Sequence, residues 1–120
     1  MLIVFNYVDT LHFYYIHLSV DPGTKVAVHN GIFIVDGAPR RRIAGLEAAP
    51  ALPDANWHKV RVQREVTSGW IKVFVDDEPQ PRFSVVDNTF KCGQVALGSF
   101  DETGDFTDFE LSSNDAGCRQ

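Results

Sequence analysis

The sequence contains no apolar run approaching the roughly 20 residues that a membrane-spanning helix requires, so no membrane partner is expected. Its opening run, Met1 to Phe5, lacks the basic flank and small-residue cleavage site of an export signal and reads as a strand. As written, the chain therefore reads as cytoplasmic. An excess of positive charge is also missing. Lys and Arg number 11 against 16 Asp and Glu, for a formal charge of −5, which argues against a phosphate-binding surface and so against nucleic acid. The one basic run, Arg40-Arg41-Arg42, sits beside turn residues and reads as a solvated loop. Cysteine is scarce. Cys92 and Cys118 cannot frame a disulfide scaffold, and the sequence leaves their pairing open. No Cys and His cluster has zinc spacing, and no phosphate loop, nucleophile elbow or paired-histidine zinc motif occurs.

What is present is strand grammar. The 120 residues, 44% hydrophobic and 22% charged, suit one soluble domain with one core. Helical periodicity is nearly absent, while period-two alternation and turn residues recur. Strands are expected over residues 2–7, 11–19, 25–29, 31–36 and 41–46, with Asp21-Pro22-Gly23 and Asp36-Gly37-Ala38-Pro39 as turns and Asn30-Gly31 as a bulge or tight turn. A loop follows over 48–56. Further strands are expected over 58–66, 70–76, 93–99 and 106–111, with Gly69 ending the first hairpin of this group. Pro79 and Pro81 keep the next segment off a central position. Eight to nine short strands fit an all-β, two-sheet antiparallel β-sandwich, with one domain over 1–112 and a tail over 113–120.

The stretch from Asn56 to Leu111 carries a family likeness. It runs Asn56-Trp57-His58, a strand, a Ser68-Gly69 turn, a second strand, then Gly98-Ser99-Phe100-Asp101 before a last aromatic strand. Trp57 is expected to open a strand; if its ring is buried, Trp57→Ala costs about 3–5 kcal/mol. This pattern resembles the C-terminal half of the concanavalin A-like lectin and glucanase sandwiches. More narrowly it is similar to bacterial family-16-like, or keto-disaccharide-hydrolase-like, domains. The likeness implies a jelly roll that handles carbohydrate. It begins at Phe5-Asn6-Tyr7-Val8-Asp9, in mid-domain for such proteins, so the sandwich is expected to be shortened at its N-terminus. Sheet edges left open in this way favour a homodimer or higher homo-oligomer. Action outside the cytoplasm is a further implication of the likeness.

Candidate site residues follow from alternation and likeness together. Along residues 12–18, Phe13, Tyr15 and His17 share one face, and His12, Tyr14, Ile16 and Leu18 the other. A central strand with core on one side and a groove on the other is expected, its rings and polar tips suiting a sugar. The competing reading makes Tyr15 and His17 satisfied core residues. By resemblance, His17, Asn30 and Arg40 approach the concave side. Lys59, Arg61 and Gln63 share the non-core face of their strand, and Arg61 is the favoured ligand donor because its planar fork grips carboxylates or vicinal hydroxyls. Arg64 falls on the valine face and is expected to snorkel or to meet a carboxylate. Asp101 and Asp105 offer oxygens of the kind calcium takes, against the alternative of a braced turn; no other cofactor is indicated.

Retaining glucanases need two carboxylates about 5 Å apart, supplied by a Glu-x-Asp-x-x-Glu strand. None occurs here. The sequence thus favours a noncatalytic carbohydrate-binding module with a concave-face groove. The alternatives are a self-assembling sandwich without ligand and a glycoside-acting hydrolase using His17 and Tyr15 as acid and base.

Overall fold

A computed structural model of the chain describes residues 1–21, 23–45 and 50–98. β1 (Leu2–Asp9) and β2 (His12–His17) form a hairpin. A single 3-10 turn (Gly23–Lys25) then runs into one helical turn, α1 (Val26–His29). β3 (Gly31–Asp36), β4 (Arg41–Ala44), β5 (Val60–Arg64), β6 (Trp70–Val75), β7 (Phe83–Val86) and β8 (Gln94–Gly98) follow. These make a five-stranded sheet in the order β4-β3-β2-β1-β8 and a three-stranded sheet, β5-β6-β7, every pair antiparallel. The chain is an all-β, two-sheet sandwich.

One core lies between the sheets. Phe5 of β1, Tyr14 and Ile16 of β2, and Ile32 and Ile34 of β3 meet the three-stranded sheet there. That sheet supplies Ile71 and Val73 of β6 and Phe83 of β7 to the same core, while β4 lies against β7. Each fully buried side chain of this size stabilises the fold by about 1.5–3 kcal/mol before entropy is subtracted. Val60 and Val62 pack on the same core, as their alternation predicts, so Arg61 and Gln63 point out of the sandwich.

Tyr14 carries a polar group into this interior. Its hydroxyl donates to the Asp87 carboxylate and accepts from the Phe90 N–H at 3.2 Å. Burial first, and the Asp87 carboxylate second, push its pKa up to about 12. Arg64 lies above the Tyr14 ring at 5.2 Å and donates to the Phe90 carbonyl (2.6 Å), the Gly69 carbonyl (2.8 Å) and Asn6 Oδ1 (3.2 Å). Its partners are carbonyls and an amide, not a carboxylate, which is one of the two expectations, and they tie β5 to the β1 bulge and to the segment before β8. Gly93 completes this junction. At φ +152° it passes so close to β1 that a Cβ there would lie 2.2 Å from the Asn6 carbonyl carbon.

Three expectations need correction. Residues 26–29 form a helical turn rather than a strand. In a strand Val26 and Val28 would share a face; the helical turn buries Val26 and leaves Val28 exposed. Trp57 does not open a strand. It precedes β5 by three residues and is 67% exposed, because the inward positions of β5 are taken by Val60 and Val62. The basic run is not merely solvated, since Arg40 donates to Tyr15 and Arg42 Nε to the Asn30 carbonyl. β7 is a strand that the sequence reading did not place. It follows Pro79 and Pro81 and pairs only with β6 among the described residues. The strand expected over 106–111 and the tail lie outside the described residues.

Candidate functional site

Two outward faces carry the residues singled out from sequence. The first is the outer face of the five-stranded sheet. Alternation along β2 puts Phe13, Tyr15 and His17 there, with Phe33 and Val35 of β3 beside them. Tyr15 stacks on Phe33 with centroids 4.9 Å apart and planes 8° apart. Arg40, from the turn before β4, lies 5.1 Å above Phe33 and donates to the Tyr15 hydroxyl at 2.7 Å. Burial raises the Tyr15 pKa, and the Arg40 guanidinium opposes the rise. Farther along, the His17 ring lies 4.8 Å from that of His29, whose Nδ1 meets the Asp21 carboxylate at 2.6 Å. Tyr15 and His17 are 2% and 1% exposed. Tyr15 belongs to a packed second cluster with Leu2 and Phe33, His17 packs on His29, and both rings are turned away from solvent.

Asn30 joins neither face. It follows α1, is 1% exposed, and spends its whole amide on the chain. Oδ1 accepts from Ser19 N–H (3.0 Å) and Ala51 N–H (2.7 Å), while Nδ2 donates to Ser19 Oγ (3.0 Å) and the Val26 carbonyl (3.3 Å). Two acceptor and two donor positions are all that an amide has. Asn30 is therefore a brace holding three loop segments together.

The second face is the outside of the three-stranded sheet. β5 presents Arg61 and Gln63, β6 presents Trp70, Lys72 and Phe74, and β7 presents Ser84 and Val86. Register sets Arg61 opposite Phe74, Gln63 opposite Lys72, Lys72 opposite Ser84 and Trp70 opposite Val86. The Arg61 guanidinium lies 4.2 Å above the Phe74 ring, and the Lys72 ammonium 5.0 Å from the Trp70 ring. Unlike the first face, this one is open: Arg61, Gln63, Trp70, Ser84 and Val86 are all exposed. Lys59 stands apart, paired with Asp77 at 3.1 Å.

The expected set thus divides. Tyr15, His17 and Arg40 share one side of the molecule, Arg61 lies on the opposite side with the core between, and Asn30 is internal. A single groove holding all five does not form. Trp70 and Lys72 were missed, although their signal was legible: with Ile71, Val73 and Val75 inward, the alternate residues must point outward. Asp101 and Asp105 lie outside the described residues, as does Cys118, while Cys92 is a half-cystine. Among the described residues no group of three or more His, Cys, Asp and Glu side chains could hold a metal ion. No family model, curated protein or solved structure matches the chain.

Proposed function

We propose that the protein is a noncatalytic carbohydrate-binding module whose ligand lies on the outer face of the three-stranded sheet. The observation that carries this reading is the arrangement around Arg61: a guanidinium resting on Phe74, next to the exposed amide of Gln63, with the partly exposed ring of Trp70 farther along the same face beside Lys72. Sugars offer apolar C–H faces that pack on rings and hydroxyls that need donors and acceptors, and this face supplies both on a rigid sheet. The likeness to concanavalin A-like sandwiches, jelly-roll topology included, belongs to the same proposal. The glycoside-acting alternative is served less well, because its acid and base would be His17 and Tyr15, both buried away from solvent.

A glycan-array screen of the purified chain tests the reading. Binding to a defined glycan class, with a loss of about tenfold or more on Arg61→Ala at unchanged melting temperature, is the expected result. Binding that Arg61→Ala leaves untouched removes this face from consideration. A second reading, self-association, draws on Leu97. It shares the inward face with its cross-strand partner Ile3, yet is 36% exposed, so among the described residues β8 overhangs the three-stranded sheet. A homodimer covering that overhang would appear as twice the chain mass by light scattering.

A further inference from the structure

The charge on the open face points to the kind of glycan. Arg61 and Lys72 make no ion pair and no hydrogen bond among the described residues; each instead lies over an aromatic ring. Acidic residues outnumber basic ones 16 to 11 in the sequence, yet none pairs with either cation among the described residues. Lys59 and Arg82, at the borders of the same sheet, both have acidic partners: Asp77 at 3.1 Å and Glu78 at 2.8 Å. Among the described residues, the central pair on this face has no acidic partner.

Their spacing is set by the sheet. Arg61 faces Phe74 and Lys72 faces Gln63 across the β5–β6 ladder, so the two cations are diagonal neighbours on one face. Diagonal positions in an antiparallel pair lie about 7–8 Å apart at Cα, within reach of a common ligand for side chains of this length. Arg61 rests on Phe74 and Lys72 lies by Trp70, on either side of the Lys72 backbone, so a shared ligand draws the flexible ammonium from Trp70 toward Arg61. Glu65 lies just past the end of β5, where its N–H donates to the Trp70 carbonyl at 2.9 Å. It borders the Trp70 end, so an incoming anion is steered toward Arg61.

We infer that this site takes an acidic glycan, with a hexuronate carboxylate held between Arg61 and Lys72 and a sugar ring packed toward Trp70. The inference rests on the carbohydrate-binding reading above and assigns its ligand class. A guanidinium can grip a carboxylate through two parallel N–H bonds, while the ammonium adds a point charge from the side. Two cations match one carboxylate. They fall short of what a densely charged polyanion such as nucleic acid requires, and the overall negative charge repels such a partner.

Isothermal titration of the full chain with an oligogalacturonate, with its methyl-esterified counterpart of equal length and with polyglutamate separates the outcomes. The acid form is expected to bind about tenfold tighter than the ester at low salt, the effect of one charge-assisted bidentate contact. That advantage shrinks at high salt. Arg61→Gln and Lys72→Gln each remove it, Arg61→Lys restores only part, and Arg82→Gln leaves it intact. Equal binding of acid and ester overturns the acidic assignment and leaves the module reading standing. Acid binding that survives Arg61→Gln and Lys72→Gln overturns the placement. Polyglutamate bound as tightly as the uronate overturns the saccharide assignment. No binding to either saccharide, on an array or in titration, overturns both readings.

Discussion

Replacing Asn30 by alanine removes four hydrogen bonds at once and strands the N–H groups of Ser19 and Ala51 in the interior. The expected cost is about 2–4 kcal/mol, read as a lowered denaturation midpoint. Trp57→Ala, by contrast, changes stability by no more than about 0.5 kcal/mol, because the ring is exposed. His58 has a different consequence. Its Nδ1 meets the Asp76 carboxylate at 2.6 Å and its Nε2 that of Asp54 at 2.8 Å, clasping the loop before β5 to the turn after β6. Hydrogen bonding to Asp76, then to Asp54, holds its pKa above the ordinary value despite opposition from burial. A histidine raised in this way stabilises the fold fully below its unfolded pKa of about 6.5, and the contribution disappears as pH rises through the higher folded value. The two carboxylates, both lowered, contribute above their unfolded values and lose that contribution in acid. The melting-temperature gap between the wild type and His58→Gln should therefore be widest in mildly acidic solution and narrow toward alkaline pH. A gap that does not change with pH would count against the clasp.

The hairpins are the elements that sequence conveyed best. β5 alternates strictly, and the inward valines and isoleucine of β5 and β6 appear where period two puts them. β2 reads equally well, down to the division of Tyr14 from Tyr15. What alternation could not reveal was long-range. The bracing of Ser19, Val26 and Ala51 by Asn30 depends on loops that meet only in the folded chain. The helical turn at Val26–His29 hides behind β-branched residues that favour strands, and tertiary burial of Val26 overrides that preference. Nor could it show which outward face stays open, since Tyr15 and Arg61 both simply point away from the core. Arg64 shows the same limit, for its partners are 58 and 26 positions away at Asn6 and Phe90. Arg64→Ala deprives two carbonyls and the Asn6 amide of their donor and uncovers Tyr14, at a cost of about 2–4 kcal/mol in a urea melt. Arg64→Lys should recover only a minor share, because an ammonium cannot reach all three acceptors in a plane.

For the molecule as a whole, the sandwich separates two chemistries. The outer face of the five-stranded sheet is a closed aromatic cluster with Arg40 folded onto Tyr15 and Phe33. The outer face of the three-stranded sheet is open, and its central cations rest on rings without acidic partners among the described residues. On this account the first face stabilises and the second binds. Amide chemical-shift mapping with an oligogalacturonate measures that division directly, because every strand reports separately. The account predicts perturbations centred on Arg61, Gln63, Lys72 and Ser84, with β2 and β3 unmoved. Shifts centred instead on Tyr15, His17 and Phe33, with β5 and β6 silent, would contradict it.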